Sequence, residues 1–302
     1  MQIVHLGIRK TGTSTFQRAL ARAEEAGVDF LYGKKILKDW INANPINNGD
    51  NPIDYRSLEN ILKEGRGRHA IFTHEGLIMY DPKKLSAVIK AALPDAKILV
   101  TFREPNSFLM SQYKHHVLNG GIEAPEVFSA RYCRKVLFKL LNVSRVMNAF
   151  ANAGLKDQLT LLPYEWQRDD YTAYLKFMSE YCALDLAKYH PGYVVNKSPG
   201  PQFNELLRRL NTALQSVDPK LLKNAEYSRF IRIASMSSAQ APELKYIFDA
   251  YYDQLEIEYE LPVVPEKFRT KFSERMNPLR DIEAFKPYLA EYGLATEQKE
   301  PH

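Results

Sequence analysis

Residues 1–17, MQIVHLGIRKTGTSTFQ, decide the fold of this chain. An apolar, β-branched run ends at Gly7, a short loop follows, and the residues from Thr13 onward have the pattern of the first turns of a helix. A glycine-containing loop that leads into a helix presents unpaired backbone N–H groups, and these bind phosphate or sulfate. We therefore predict an anion-binding loop, formed by Arg9, Lys10, Thr11, Gly12, Thr13, Ser14 and Thr15.

This loop differs from the phosphate loop of nucleotide triphosphatases. Gly7 and Gly12 have the spacing of the G-x-x-x-x-G-K-[ST] motif, but Thr13 stands where that motif has lysine. The lysine lies inside the loop, as Lys10. The apolar strand predicted at 97–102 runs directly into Arg103, without the aspartate that would bind Mg²⁺. A glycine-containing turn with a solvated lysine is the alternative that carries no function.

Two motifs resemble those of a known family. Residues 10–15, KTGTST, resemble the 5′-phosphosulfate loop of sulfotransferases that use 3′-phosphoadenosine 5′-phosphosulfate (PAPS). Arg103-Glu104-Pro105, followed by Ser111-Gln112-Tyr113, resembles the 3′-phosphate motif of the same family. Phe108 departs from that motif, because the family often has arginine at this position. A phenylalanine cannot hold a phosphate, so another cation is needed there.

The resemblance implies a cofactor and residue roles. It implies PAPS as the sulfuryl donor, adenosine 3′,5′-bisphosphate as the product, and no metal. It also implies that Lys10 hydrogen-bonds the leaving oxygen and that Arg103 and Ser111 hold the 3′-phosphate. Residues 195–200, VNKSPG, resemble the loop that closes over the nucleotide in this family. Lys197 is therefore predicted to make a second phosphate contact.

The acceptor of a sulfuryl group needs a base, and residues 71–76, IFTHEG, supply two candidates. Ligands of open parallel sheets bind at the carboxyl ends of the strands, and His74 and Glu75 follow a predicted strand there. We rank Glu75 first and His74 second as catalytic base; because adjacent strand residues point oppositely, only one of them should face the sulfur. Glu75 could instead only order its loop. His115 and His116 are weaker candidates.

Alternation of strands and helices over the first 200 residues predicts a parallel sheet of about five strands with helices on both faces. The expected fold class is thus α/β, a three-layer α/β/α arrangement of the P-loop type. We expect this core to span residues 1–200. Residues 201–302 have helical patterns interrupted by prolines, and we expect a helical region that packs on the core and contributes to the acceptor site. A single long helix is predicted from Ala130 to Ala153.

Composition narrows the functional classes. The net charge of +5 suits an anionic cofactor but is too small to indicate nucleic acid as a partner. The two cysteines, Cys133 and Cys182, lie far apart and predict neither a disulfide framework nor a zinc site. No signal segment or membrane span is apparent, so a cytoplasmic protein is expected.

The predicted function is transfer of the sulfuryl group of PAPS to a hydroxyl or amine of a glycan or small molecule. Two alternatives stay open. One is a P-loop kinase that uses ATP and Mg²⁺, and the other is a non-catalytic protein that binds nucleotides or polyanions. The acceptor itself is not encoded in either motif, because acceptor contacts come from variable loops and helices.

Overall fold

The computed structural model of this 302-residue chain describes residues 1–7, 13–46, 52–190, 200–224, 227 and 258–294. The chain divides into two compact units. The first comprises Met1–Glu104, Phe138–Pro191 and Arg269–His302, and the second comprises Pro105–Leu137 and Gly192–Phe268. The C-terminal segment Arg269–His302 thus belongs to the unit that contains the sheet.

The first unit contains a parallel sheet of five strands within the described residues. The strands are β1 (Gln2–His5), β2 (Leu31–Tyr32), β3 (Ala70–Thr73), β4 (Lys97–Phe102) and β5 (Leu159–Pro163). Their order is β2-β3-β1-β4-β5, and every neighbouring pair is parallel. This confirms the α/β class and the parallel sheet of about five strands. The carboxyl ends of β3, β1 and β4 consequently lie side by side.

Helices flank the sheet and form the second unit. In chain order they are α1 (Thr13–Glu25), α2 (Lys34–Ala43), α3 (Tyr55–Lys63), α4 (Pro82–Ala92), α5 (Pro105–Leu118), α6 (Pro125–Tyr132), α7 (Phe138–Leu140), α8 (Val143–Asn152), α9 (Tyr164–Asp169), α10 (Tyr171–Cys182), α11 (Leu186–Tyr189), α12 (Pro201–Val217) and α13 (Glu266–Met276). Short 3₁₀ turns lie at Leu77–Met79, Leu221–Lys223, Asn277–Asp281 and Glu283–Tyr288. None of the helices in the described part of the chain is long and apolar enough to span a membrane.

The core of the first unit follows from the two-residue period of the strands. Ile3, Ile71 and Leu99 lie on one face of the sheet, where they pack in a buried cluster with side chains of α1 and α10. Phe72, one residue further along β3, points to the other face and is fully buried. A Cβ atom on Gly33 would lie 2.2 Å from its ring. Glycine is therefore required at that position by close packing.

The predicted helix from Ala130 to Ala153 is not continuous. Helix α6 ends at Tyr132, a π-helical turn spans Cys133–Leu137, and α8 begins anew after Asn142. The side chain of Asn142 accepts a hydrogen bond from the backbone N–H of Arg145 at 3.0 Å. Asparagine prefers such an N-cap to a helix interior, which explains the new helix start.

In the second unit, the end of α5 is a Schellman motif. The N–H of Gly120 bonds to the carbonyl of Val117, and the N–H of Gly121 bonds to that of His116. Gly120 has a φ of +86°, which a residue with a side chain rarely adopts. Helix capping thus accounts for both glycines. Fully buried Asn211 of α12 donates hydrogen bonds to the carbonyls of Val117 and Gly121 at 2.9 and 3.0 Å. These bonds hold α12 against the C-terminal end of α5.

Phe108 and the two cysteines are buried side chains. Phe108 has no exposed surface, and its ring lies 6.4 Å from the ring of Tyr132. Cys133 and Cys182 are buried and not disulfide-bonded. Burial raises the pKa of each thiol to about 12, so both are neutral at physiological pH. They are packing residues, in agreement with their separation in the sequence.

Candidate functional site

Three strands are joined by a buried histidine at their carboxyl ends. His5, the last residue of β1, places Nδ1 3.0 Å from Thr73 Oγ1 of β3 and Nε2 3.3 Å from Thr101 Oγ1 of β4. Burial lowers the pKa of His5 to about 4, although the charge of Glu75 acts in the opposite direction. The imidazole is therefore neutral at pH 7. It fixes the spacing of the strand ends where ligands of parallel sheets bind.

Gln17 connects this histidine network to Glu75. Its Nε2 lies 3.4 Å from Thr73 Oγ1 and 3.4 Å from Glu75 Oε2. Both distances are at the long end of hydrogen bonding, so each contact is weak by itself. Gln17 belongs to α1, the helix that follows the predicted anion loop. Glu75 is consequently held against that helix, only one turn from its N-terminal residue Thr13. We name His5, Gln17, Thr73, Glu75 and Thr101 the strand-end cluster.

Glu75 is a carboxylate at neutral pH. Its burial by itself raises the pKa, but a backbone hydrogen bond, the charge of His74, the amide of Gln17 and the charge of Lys34 together lower the pKa below the usual value for glutamate. Lys34 is the first residue of α2. Burial lowers the pKa of Lys34, while Glu75 opposes this. The half-buried carboxylate thus has a cation nearby and is able to accept a proton.

His74 is less suited to accept a proton than Glu75. Its Nδ1 accepts a hydrogen bond from the backbone N–H of Gly76 at 2.9 Å. A neutral imidazole with Nδ1 as acceptor carries its proton on Nε2. Nε2 is then a donor. The ranking of Glu75 before His74 as the base stays a prediction.

Arg103 follows β4 and is positioned by residues that follow β5. Its guanidinium carbon lies 4.3 Å from the centre of the Tyr164 ring, a cation–π contact. The next residue, Glu104, donates its backbone N–H to Glu165 at 3.0 Å. Burial lowers the pKa of Arg103, while Tyr164, Glu165 and Glu104 oppose this. Arginine nevertheless remains a cation at neutral pH.

Glu165 has a structural role. It is fully buried and accepts a hydrogen bond from the hydroxyl of Tyr292 at 2.6 Å, besides the one from Glu104. Burial raises its pKa, although these hydrogen bonds and the charge of Arg103 act against that. Tyr292, close to the C-terminus, thereby supports the turn that carries Arg103. Only the fold brings these residues together.

The structure brings some of the predicted site residues together and does not cover others. His74, Glu75 and Arg103 all follow strands of the first unit at its carboxyl edge. Thr15 is buried in α1, and Ser111 is half-buried on α5 of the second unit. The remaining predicted residues, in whole or by their side chains, lie outside the described part: Arg9, Lys10, Thr11, Gly12, Thr13, Ser14 and Lys197.

The weaker histidine candidates lie on α5 in the second unit. His115 is exposed, and His116 is half-buried with Nε2 3.1 Å from Glu123 Oε2. Burial lowers the pKa of His116, while Glu123 raises it. Within the described ranges, no three or more His, Cys, Asp or Glu side chains are grouped so that they could hold a metal ion.

Sequence reasoning missed His5, Gln17 and Lys34. The available signal was a polar residue near the carboxyl end of each of three strands, directly after apolar residues: His5, Thr73 and Thr101. Polar residues that are fully buried need partners, and the parallel order of the strands supplies these across the sheet. Gln17 gave no such signal, because it looks like any polar helix residue.

Comparison with known proteins yields one similar solved structure. No family model matches this chain, and no curated protein matches it. Among solved structures, a sulfotransferase from Alicyclobacillus acidocaldarius aligns over 84% of this chain and 98% of its own, with 16% identity and a TM-score of 0.44. A TM-score this low does not bear on function.

Proposed function

We propose that this protein is a PAPS-dependent sulfotransferase that transfers the sulfuryl group to a hydroxyl or amine acceptor. The observation that carries this proposal is the position of Glu75. A carboxylate that follows the carboxyl end of β3 contacts Gln17 on α1, the helix that begins within the KTGTST segment. A proton acceptor is thereby held beside the helix whose start carries the motif of the phosphosulfate loop.

The residues at this edge of the sheet suit an anionic nucleotide. The N-terminus of α1 and the guanidinium of Arg103 both favour negative charge, and both follow central strands of the sheet. When bound, PAPS supplies the sulfuryl group. The residues proposed to hold it are those of the two motifs and the late loop: Arg9, Lys10, Thr11, Gly12, Thr13, Ser14, Thr15, Arg103, Ser111 and Lys197.

Two side chains are proposed to act in the transfer. Glu75 takes the proton of the acceptor as its oxygen or nitrogen bonds to sulfur. Lys10 hydrogen-bonds the phosphate oxygen that receives the electron pair of the broken S–O bond, which neutralises the developing charge. The strand-end cluster keeps the carboxylate in place, and His5 stays neutral so that it adds no competing cation. In-line placement then lowers the barrier by orientation.

Calorimetry with two nucleotides tests this proposal. We expect adenosine 3′,5′-bisphosphate to bind more tightly than ATP, with no dependence on Mg²⁺. Tighter, metal-dependent binding of ATP would instead indicate a P-loop kinase. Sulfation is then measured by incubating labelled PAPS with a panel of glycans, phenols and lipid-linked sugars. Bisphosphate binding without transfer to any acceptor would indicate a non-catalytic nucleotide-binding protein.

The acceptor and the cellular location remain predictions. A glycan or small molecule is proposed as acceptor, and neither nucleic acid nor a membrane span is part of the proposal. If the net charge of +5 bound DNA or RNA, the affinity would fall steeply with salt. We expect little such binding at physiological salt, and a cytoplasmic location as before.

A further inference from the structure

The second unit contains an open groove that the proposed sulfuryl transfer does not use. Its volume is about 530 Å³, within the range of small-molecule sites. Three segments line it: residues 124–126 at the start of α6, three residues of α12 (Glu205, Arg208 and Arg209), and residues 258–260. We name it the Glu205 groove, after the residue of α12 that accepts hydrogen bonds from Arg208 and Arg209.

Hydrogen bonds hold the walls of the Glu205 groove in place. Glu205 accepts two bonds from Arg208, both 2.7 Å, and one from Arg209 at 2.8 Å. Arg209 also donates to the backbone carbonyl of Glu258 at 3.2 Å. Further along the same segment, the N–H of Val264 donates to Asn106 Oδ1 at 2.7 Å. The segment from 258 to 264 is therefore anchored at both ends.

The charge of the lining is more negative than that of the whole chain. Burial by itself raises the pKa of Glu205, but the hydrogen bonds that it accepts from Arg208 and Arg209 lower the pKa. This carboxylate is therefore ionised and pairs with both guanidinium groups. Glu126, Glu258 and Glu260 add three more carboxylates, while the chain as a whole carries +5. This surplus favours a cation such as an ammonium group.

A small inner pocket adjoins the groove, since both are lined by Glu205 and Glu260. Its volume is about 10 Å³, enough for one group the size of a water molecule or an ammonium. Lys114, Tyr113 and Asn204 also line it, and Lys114 is the one cation there among the described residues.

Asn204 points to a ligand independently of the carboxylates. It is only 3% exposed, and its Oδ1 has no hydrogen-bond partner among the residues that the structure describes. A buried acceptor without a donor is destabilising. A ligand that places an N–H or O–H group in the inner pocket removes this cost. A water molecule or a donor group of a ligand can supply this bond.

We propose that the Glu205 groove binds an amine-bearing sugar in its ammonium form. The carboxylates of Glu126, Glu258 and Glu260 hold the ammonium groups, and Asn204 Oδ1 accepts from a donor of the ligand. Tyr259, which is 41% exposed between two of these carboxylates, offers its ring as a flat apolar surface for the sugar. This goes beyond the proposed sulfuryl transfer and holds without PAPS.

The test is a calorimetric titration of the full chain without nucleotide. Two probes share the sugar backbone and differ at the nitrogen: the tetramer of β-1,4-linked glucosamine carries ammonium groups, and the same tetramer with every amine acetylated carries neutral acetamides. We expect the first to bind at least tenfold more tightly. Its affinity should fall when NaCl is raised from about 20 mM to about 150 mM, because the contacts are exposed charges. Equal affinity for both tetramers, or binding of neither, would overturn the proposal.

Variants locate the site. The double substitution Glu258→Gln/Glu260→Gln should weaken the glucosamine tetramer roughly tenfold, because two charge contacts are lost. Glu64→Gln/Glu180→Gln, which neutralises two exposed carboxylates of the first unit, should leave the affinity unchanged. Asn204→Ala should also weaken it roughly tenfold. Since the buried Asn204 variant could fail to fold, its thermal unfolding is recorded, and the exposed double variant decides on its own.

Other results count against the proposal. An unchanged affinity in Glu258→Gln/Glu260→Gln would place the binding elsewhere. Spermidine provides the same ammonium chemistry without a sugar ring. If spermidine binds as tightly as the tetramer, and Tyr259→Ala changes neither affinity, the site recognises amines alone and the sugar part of the proposal is wrong.

Discussion

The strand-end cluster and the Glu205 groove are both polar, yet they are built in opposite ways. The cluster is compact and largely buried, and a neutral imidazole bonds to two hydroxyls at its centre. The groove is open, and charged side chains from distant segments line it. Buried neutral bonds hold atoms in fixed positions, whereas exposed charges attract a ligand without fixing it closely. Substitutions in the strand-end cluster should therefore alter turnover. Substitutions in the Glu205 groove should alter the affinity for the amine-bearing sugar.

The largest effect is expected for Glu75→Gln. This substitution keeps the size and hydrogen bonding of the side chain but cannot accept a proton. Turnover should fall roughly 10²–10⁴-fold, as for loss of a general base, with little change in the affinity for adenosine 3′,5′-bisphosphate. The measurement is kcat with any acceptor that the wild-type protein sulfates.

Glu64→Gln, an exposed change at the end of α3, serves as the control for Glu75→Gln. Near-normal turnover in Glu75→Gln would remove the glutamate from the mechanism. The base would then be sought at His74, or at His115 and His116. The strand-end cluster would then have no demonstrated effect on turnover, and the contrast between a catalytic cluster and a binding groove would fail.

The second prediction concerns stability against pH. His5 has a pKa of about 4 in the folded state and 6.5 otherwise, so the unfolded chain binds the proton first as the pH falls. The contribution of neutral, buried His5 to the free energy of unfolding is complete above pH 6.5 and is lost as the pH drops to about 4. At roughly 1.4 kcal/mol for each pH unit, this loss amounts to about 3 kcal/mol. Denaturant unfolding at several pH values measures it.

His5→Gln should flatten this pH dependence, because glutamine does not titrate. His116→Gln is the matched change in the second unit. Its effect on the slope of the free energy of unfolding against pH should be smaller. His116 is only half-buried, and the charge of Glu123 offsets the lowering of its pKa by burial. Equal slopes in wild type and His5→Gln would show that His5 is protonated in the folded state, and the neutral cluster would be wrong.

Arg103→Ala should selectively weaken the binding of a 3′-phosphate. A charge-assisted hydrogen bond contributes about 1.5–3 kcal/mol, so the affinity for adenosine 3′,5′-bisphosphate should fall roughly 10–100-fold. The affinity for adenosine 5′-phosphate should change much less. Arg103→Lys keeps the charge but loses the planar guanidinium, so its affinity for adenosine 3′,5′-bisphosphate should lie between those of the wild type and Arg103→Ala. Arg68→Ala, at the opposite end of β3, is the control. Equal losses of affinity for both nucleotides in Arg103→Ala would show that Arg103 contacts a part of the ligand other than the 3′-phosphate.

The smallest effect is expected for Gln17→Leu. Its weak bonds to Glu75 and Thr73 predict a loss in kcat of roughly two- to tenfold. Because Gln17 lowers the pKa of Glu75, its removal should raise that pKa and move the acid limb of kcat/KM to higher pH. Gln2→Leu, at the amino end of β1, should leave the profile in place. An unshifted acid limb in Gln17→Leu would show that Gln17 does not tune the carboxylate.

Several elements were predictable because their signals are local. The strand predicted at 97–102 occurs at those bounds, as Lys97–Phe102, and the strand predicted before His74 occurs as Ala70–Thr73. Each is a run with one clear period, and polar or turn-forming residues bound it. The helix break at Asn142 was missed, because a single capping residue looks like any polar position inside a longer helical pattern.

The sequence by itself determined the parallel α/β order and the chemical types placed after each strand: a glycine loop, His74-Glu75 and Arg103. These are consequences of neighbouring residues along the chain. Only the tertiary structure decided which side chains meet. Gln17 contacts Thr73 and Glu75, 56 and 58 residues away, and Tyr292 supports Glu165 across 127 residues. Such contacts depend on strand order and helix packing, which bring distant segments together and which no local pattern encodes.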